Sequence, residues 1–307
     1  MVQPKAVFVL SGKGGVGKTL VSVNLGLHLK EKGVRVGLLD ADFSASNSGY
    51  FLNLSQRSIE MSREEFRPVE IEGSTSGPGL EIFSIPLILG ENAVSMTGDQ
   101  YSQLLRDSVE ATKWKAEYII VDCPAGYGDE LKEAAKVFSD SLLGSIIVLQ
   151  PAHDLDARRA LQLHKDLEMP VLGLIENMSF FRAGVVSYNI FGASIVDKLG
   201  EEFGVPVFGK IPLSMAIRKQ IEEKNPKLTG ECAEPIIKAI DVILQAKPQK
   251  PGFLEKIRTF LKQQLDKLII ELTLNINKEI NIPNVQEKFG FPGGSICLLY
   301  TSDAADE

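Results

Sequence analysis

The sequence predicts an α/β fold, doubly wound around a mostly parallel sheet, and three observations carry that prediction. Short apolar runs rich in Val, Ile and Leu recur along the chain, with polar-faced helical stretches between them. The runs are continuous rather than alternating, as strands covered on both faces of a parallel sheet should be. The 307 residues, 44% hydrophobic and 24% charged, suffice for a sizeable core and exclude a disordered, collagenous or disulfide-built protein.

In chain order, a strand at Ala6 to Leu10 passes through a glycine loop into a helix over Leu20 to Lys32. Strands follow at Val34 to Leu39 and Leu80 to Ile85, and the polar residues 53 to 79, which contain Ser-Gly-Pro-Gly, read as a loop excursion outside the core. A helix over Gln100 to Lys113 leads to a strand at Glu117 to Val121, and a strand at Ser145 to Leu149 leads to a helix over Asp156 to Leu167. Val171 to Ile175, a helix over Ala193 to Phe203 and a short strand at Pro206 to Phe208 complete the layer. Strands that alternate with helices imply crossovers and parallel neighbours.

The α/β pattern occupies residues 1–246, and residues 247–252, KPQKPG, form a linker. Residues 253–296 read as an amphipathic helix followed by an incomplete extension. Phe253, Leu254, Ile257, Phe260, Leu261, Leu265 and Leu268 share a sector of about 140° on a helical wheel. Lys247 to Lys267 holds six basic and two acidic residues, a +4 stretch in a chain of net charge −7. Two readings stay open: residues 253–268 pack on their own domain, or they bind a membrane surface or a protein partner. Residues 297–307, CLLYTSDAADE, resemble a translated sequencing adapter, so they are set aside as a scar and the extension is expected to be truncated after Ile296.

Charge, hydropathy and cysteine usage narrow the function classes. With 33 basic against 40 acidic residues there is no general basic face, and a nucleic-acid partner is not expected. No apolar run reaches membrane-spanning length and the start lacks a signal peptide's pattern, so a cytoplasmic location is expected, with peripheral membrane association as the alternative. Cys123, Cys232 and Cys297 are far apart and form no CxxC, which indicates neither a disulfide framework nor a one-chain metal site. His153 and His164 have no nucleophile or metal partner in the pattern and read as structural or solvent-facing.

The chemistry concentrates in Gly12-Lys13-Gly14-Gly15-Val16-Gly17-Lys18-Thr19, which follows the first strand and opens the first helix. In that context the glycines free backbone N–H groups to cradle a phosphate, and the helix start adds its positive dipole end. Lys18 is placed to reach the β- and γ-oxygens of a nucleoside triphosphate, and the Thr19 hydroxyl to ligate Mg²⁺. Two acidic segments, Asp40-Ala41-Asp42 and Asp122-Cys123-Pro124-Ala125-Gly126, end later strands, where ligands bind in open α/β sheets. Asp42 is assigned to positioning the attacking water, Asp122 to the Mg²⁺ shell, and Asp40 to supporting the switch and the metal.

Residues 6 to about 230 resemble the Mrp-type branch of the MinD/ParA superfamily of P-loop NTPases. The segments that carry the likeness are SGKGGVGKT, LLDAD, YIIVDCPAGYGDE, DARRALQL, PVLGLIENMSFF, NIFG and GKIPL followed by AIRKQIEEKNP. The resemblance implies an ATPase that dimerises around ATP and Mg²⁺, with Lys13 crossing to the other subunit's nucleotide. It also implies that Asn177 hydrogen-bonds the adenine edge and that the backbone around Pro212 closes the base pocket. By the same likeness the function is a switch ATPase of the iron–sulfur cluster carrier and assembly type. Such carriers place a CxxC between the ENMS and IFG segments, so that two subunits can hold a bridging cluster. Here Phe180 to Tyr188 contains no cysteine, and a cluster held by that route is not expected. Cys123 and Cys232 read as small buried fillers. The alternative is a MinD-like positioning ATPase, because GFLEKIRTFLK resembles that group's membrane-targeting helix; a ParA-like DNA-partition role fits least.

Overall fold

The computed structural model describes residues 4–248, apart from 44–46, 55–58, 62–64, 73–77, 85, 90–96, 127–128 and 184–185. The amphipathic stripe at 253–268, the extension and residues 297–307 therefore lie outside the described residues, as does part of the linker.

The elements are β1 (Lys5–Leu10), α1 (Lys18–Glu31), β2 (Val36–Asp40), α2 (Ser48–Phe51), β3 (Glu60–Met61), β4 (Phe66–Arg67), β5 (Val69–Ile71) and β6 (Leu80–Phe83). They continue with α3 (Pro86–Leu89), α4 (Gly98–Glu110), β7 (Tyr118–Asp122), α5 (Asp129–Val137), β8 (Leu142–Leu149) and α6 (Asp154–Asp166). The last are β9 (Val171–Ala183), β10 (Val186–Tyr188), α7 (Val196–Phe203), β11 (Val207–Leu213), α8 (Met215–Glu222), a 3₁₀ turn at Gly230–Cys232 and α9 (Glu234–Gln245).

Nine strands form one sheet in the order β10-β9-β8-β1-β7-β2-β6-β5, with β11 also paired to β9. All pairings among β1, β2, β6, β7, β8, β9 and β11 are parallel, and β5 and β10 add antiparallel edges. This is the expected doubly wound architecture. The strand interiors explain it: every residue of β2, β7 and β8 is buried, so each strand needs cover on both faces. Phe8 and Phe138 meet edge to face, with ring centroids 5.6 Å apart.

Helix α1 is buried on more than one side, because it lies among the sheet and α9. Asn24, wholly buried inside it, donates to Leu20 O and Pro226 O and accepts from Leu228 N at 2.7 Å. Those bonds tie the helix that follows the glycine loop to the segment that follows α8. A buried amide of this kind stabilises only when all its donors and acceptors are used.

Element ends differ from expectation by up to three residues, as where α7 begins at Val196 rather than Ala193 and β8 at Leu142 rather than Ser145, and three expectations differ by more. Residues 53 to 79 are not wholly outside the sheet, since Val69–Ile71 pairs antiparallel with β6 and Val69 is buried. A three-residue edge strand leaves too little periodicity to separate it from loop. The strand at Val171 runs on through Asn177 to Ala183, beyond the expected end at Ile175, because its distal half pairs with β11 and β10. The strand expected to end at Phe208 continues to Leu213, and an interior proline, Pro212, sits where the pairing with β9 slips register.

Candidate functional site

The site is assembled at the carboxyl ends of β1, β7 and β2, the central strands of the sheet. Parallel register sets Val9 beside Asp122 and Asp122 beside Asp40. Because registered residues of parallel neighbours share a face, the two carboxylates stand together next to the loop that leaves β1. The connecting turns are bonded to one another: Ala41 N donates to Asp122 O, Cys123 N to Val9 O and Gly126 N to Ser11 O, at 2.9 to 3.1 Å.

The glycine loop spans Gly12 to Gly17 and delivers Lys18 and Thr19 as the first two residues of α1. Gly17 has φ +97° and Gly15 φ +80°, left-handed values that permit the tight turn. No side chain caps α1 and its first turn contains no acidic residue, so the helix start leaves its first N–H groups for a ligand. Lys13, Gly14 and Gly15 are exposed, whereas Lys18 is buried in the fold. The Ser11 hydroxyl donates to Lys13 O at 2.6 Å and holds the loop's entry.

Asp122 is almost wholly buried, and burial, then the neighbouring Asp40 carboxylate, push its pKa up to about 7. Hydrogen bonds from Thr19 and Ser22 and the Lys18 ammonium pull the other way. Ser22 Oγ donates to Asp122 Oδ1 at 3.0 Å. Asp40 is wholly buried; its Oδ1 accepts from Asp42 N at 3.3 Å and its Oδ2 from Ser48 N at 3.1 Å. It therefore anchors both the turn holding Asp42 and the start of α2. Asp42 is half-buried. Two buried carboxylates side by side, with a threonine hydroxyl adjacent, form a hard oxygen donor set with excess negative charge, which suits Mg²⁺. Thr19 and Asp122 are the residues that would hold it, and the ion would neutralise charge on phosphate oxygens.

Beside the loop lies a cavity of about 380 Å³, lined in part by Gly17, Leu20, Phe51, Asn177, Met178 and Pro212 and by Ile217 and Ile221 of α8. Gly17 of the glycine loop and Asn177 and Pro212, which the family resemblance assigned to the base, thus meet at one cavity. Asn177 is buried, and its Nδ2 donates to Val16 O at 2.8 Å. The neighbouring Met178 has φ +54°, unusual inside a strand, and its sulfur faces the Gln150 amide. The pairing with β11 slips register just after it, between Asn177 and Phe181.

Several participants were not foreseen. Ser22 follows Thr19 by three residues on α1, so helical spacing alone could have found it. Ser48 and Phe51 carry no such signal, because only the return of the chain after Asp42 brings them to the site. Glu176 is wholly buried beside Asn177; its Oε1 accepts from Ile195 N at 2.8 Å and Val196 N at 3.2 Å, and its Oε2 from the Ser179 hydroxyl. It caps α7, whose own N-cap position is an isoleucine that cannot do so.

The remaining candidates play structural parts. Cys123 is wholly buried, its thiol raised well above the ordinary range by burial, and Cys232 is partly buried in the 3₁₀ turn. His164 is buried and its Nδ1 bonds Ala160 O at 2.7 Å, while His153 precedes α6. Among the described residues no group of three or more His, Cys, Asp or Glu side chains is arranged to hold a metal, and no helix is long and apolar enough to cross a membrane.

Comparison with known proteins gives concordant results. Residues 3–246 match the family described as ParA: NUBPL iron-transfer P-loop NTPase. An iron-sulfur cluster carrier protein of Pseudomonas fragi is 33% identical over 239 residues, 75% of this chain and 80% of that protein. One from Deinococcus radiodurans is 34% identical over 228 residues, 72% of this chain and 63% of its own length. Among solved structures, a nucleotide-binding protein in complex with ADP from Archaeoglobus fulgidus superposes with a TM-score of 0.62 at 24% identity, over 72% of this chain and 87% of that one. At that identity the match shows the shared fold.

Proposed function

Since the chain belongs to the ParA family of NUBPL iron-transfer P-loop NTPases, we propose that it is a MgATP-hydrolysing, dimeric switch that acts in iron–sulfur cluster assembly. The observation that carries the proposal is the joint placement of the glycine loop, Lys18, Thr19 and the Asp40–Asp122 pair at the ends of three adjacent central strands.

In this reading the backbone N–H groups of Gly14 to Lys18 bind the β-phosphate, and the Lys18 ammonium neutralises the β- and γ-oxygens. Asp42, fixed by its own N–H on Asp40, orients the attacking water beside the terminal phosphate. Asn177 and Pro212 hold the base in the neighbouring cavity. Lys13, exposed on the loop's rim, reaches the nucleotide of the partner subunit, so that ATP draws two copies together. Hydrolysis then resets the assembly. The cluster is cargo, held elsewhere than on a CxxC of this chain, because Phe180 to Tyr188 offers no thiolate and Cys123 is sealed in the core.

Sedimentation of the Asp42→Ala variant tests the switch, since slowed hydrolysis preserves the ATP state. It is expected to move from monomer to dimer on adding MgATP, and the Lys13→Ala, Asp42→Ala double variant is expected to remain monomeric. A monomer under every condition would refute the dimeric switch.

A further inference from the structure

The base cavity and the acidic end of β2 share a wall, and a contact outside both holds that wall in place. Phe51 of α2 lines the cavity on one side and Ile221 of α8 on another. The first residue of α2, Ser48, donates its N–H to Asp40. Helix α2 therefore lines the cavity with its end and bonds the Asp40 carboxylate with its start.

Beyond the end of α8, Lys224 takes φ +59°, a left-handed turn fixed by its own N–H on Ile221 O at 3.0 Å and by Asn225 N on Gln220 O at 2.8 Å. That turn aims the side chain back at α2. Its Nζ stands 3.0 Å from the centroid of the Tyr50 ring and donates to Tyr50 O at 3.2 Å. Tyr50 is otherwise 55% exposed, so its ring contributes little to the core. The left-handed residue and its two backbone bonds form a Schellman stop of α8, and the same turn sets one cation on one exposed ring and one carbonyl, joining the end of α8 to α2 outside the core.

We propose that Lys224 and Tyr50 form a latch that holds α2, whose Phe51 lines the base cavity, to the turn after α8, so that a bound base fixes α2 and, through Ser48 and Asp40, the turn carrying Asp42. The latch rests on the nucleotide reading given above and deepens it: base recognition and water positioning become one event. Lys224 is thus a positioning residue, since it acts through α2 rather than touching the phosphates. A ligand that has phosphates and no base fills the loop without engaging the latch.

Calorimetric titration of the full chain with MgADP and with magnesium pyrophosphate separates the two effects. The Lys224→Gln variant is expected to bind MgADP about tenfold more weakly, as it would if losing the latch left α2 in its binding position only about a tenth of the time, and to bind pyrophosphate as the wild type does. Lys224→Arg, which keeps a cation and a donor at the same place, is expected to restore most of the MgADP affinity. Equal weakening of both ligands, or of neither, overturns the latch. A wild-type chain that binds pyrophosphate as tightly as MgADP also overturns it, because the base would contribute nothing. A wild-type chain that binds neither ligand refutes the nucleotide reading itself, and the latch with it.

Discussion

Replacing Gly17 with alanine should damage the site in two separable ways. At φ +97° a residue with a Cβ is strained, at a cost of about 1–3 kcal/mol. A Cβ there would also stand 2.1 Å from Asn177 Nδ2, far inside contact distance, so the amide must move. Moving it gives up the bond from Asn177 to Val16 O, worth about 1 kcal/mol. Gly17→Ala should therefore lose about 2–4 kcal/mol of unfolding free energy in urea. Asn177→Ala alone should lose about 1 kcal/mol, and in the double variant that loss is not counted twice. The double variant should be more stable than the sum of the single effects predicts by about 1 kcal/mol. Strict additivity would refute the collision, and a Gly17→Ala protein as stable as the wild type would refute both parts.

Two further outcomes follow from buried carboxylates. Asp122, with its pKa raised to about 7 from an unfolded value near 3.8, binds more proton in the folded state, so its contribution to stability is full below pH 4 and is lost as pH rises to about 7. His164, pushed down to about 4 by burial, acts oppositely as pH falls below 6.5, so subtracting the Asp122→Asn curve from the wild-type curve isolates the carboxylate. Parallel wild-type and Asp122→Asn stability curves between pH 4 and 7 would contradict the assignment. Glu176→Ala should strand the Ile195 and Val196 N–H groups and cost about 3 kcal/mol, with amide hydrogen exchange accelerating first at the start of α7; unchanged exchange there would count against the cap.

The parts of the site legible in the sequence are those whose chemistry is local. Gly12 to Thr19 announce a strand-to-helix phosphate turn by spacing alone, and Asp40 and Asp122 stand at the ends of apolar runs, where open sheets bind ligands. The doubly wound sheet was legible for the same reason, since the continuous runs of β1, β2, β7 and β8 require cover on both faces. Asn177 and Pro212 were found through family likeness, because nothing in their local pattern distinguishes them from a strand residue and a turn proline. Ser48, Phe51, Tyr50 and Lys224 escaped, since their meeting depends on α2 and α8 folding toward one another from 174 residues apart in the chain. Val69–Ile71 escaped because an edge strand that short has no measurable period. Glu176 was visible only as part of a motif, and its role emerges once the start of α7 is seen to lack a cap of its own.

The central claim is that MgATP is bound and hydrolysed at the loop leading into α1, and the Lys18→Ala variant tests it most directly. Phosphate release measured with MgATP is expected to be slow but clear in the wild type and to fall at least about hundredfold in Lys18→Ala, the scale of losing one charge at a developing anion. Thermal unfolding run on the same samples establishes that the variant is folded. Folded Lys18→Ala protein that turns over MgATP at the wild-type rate would contradict the account.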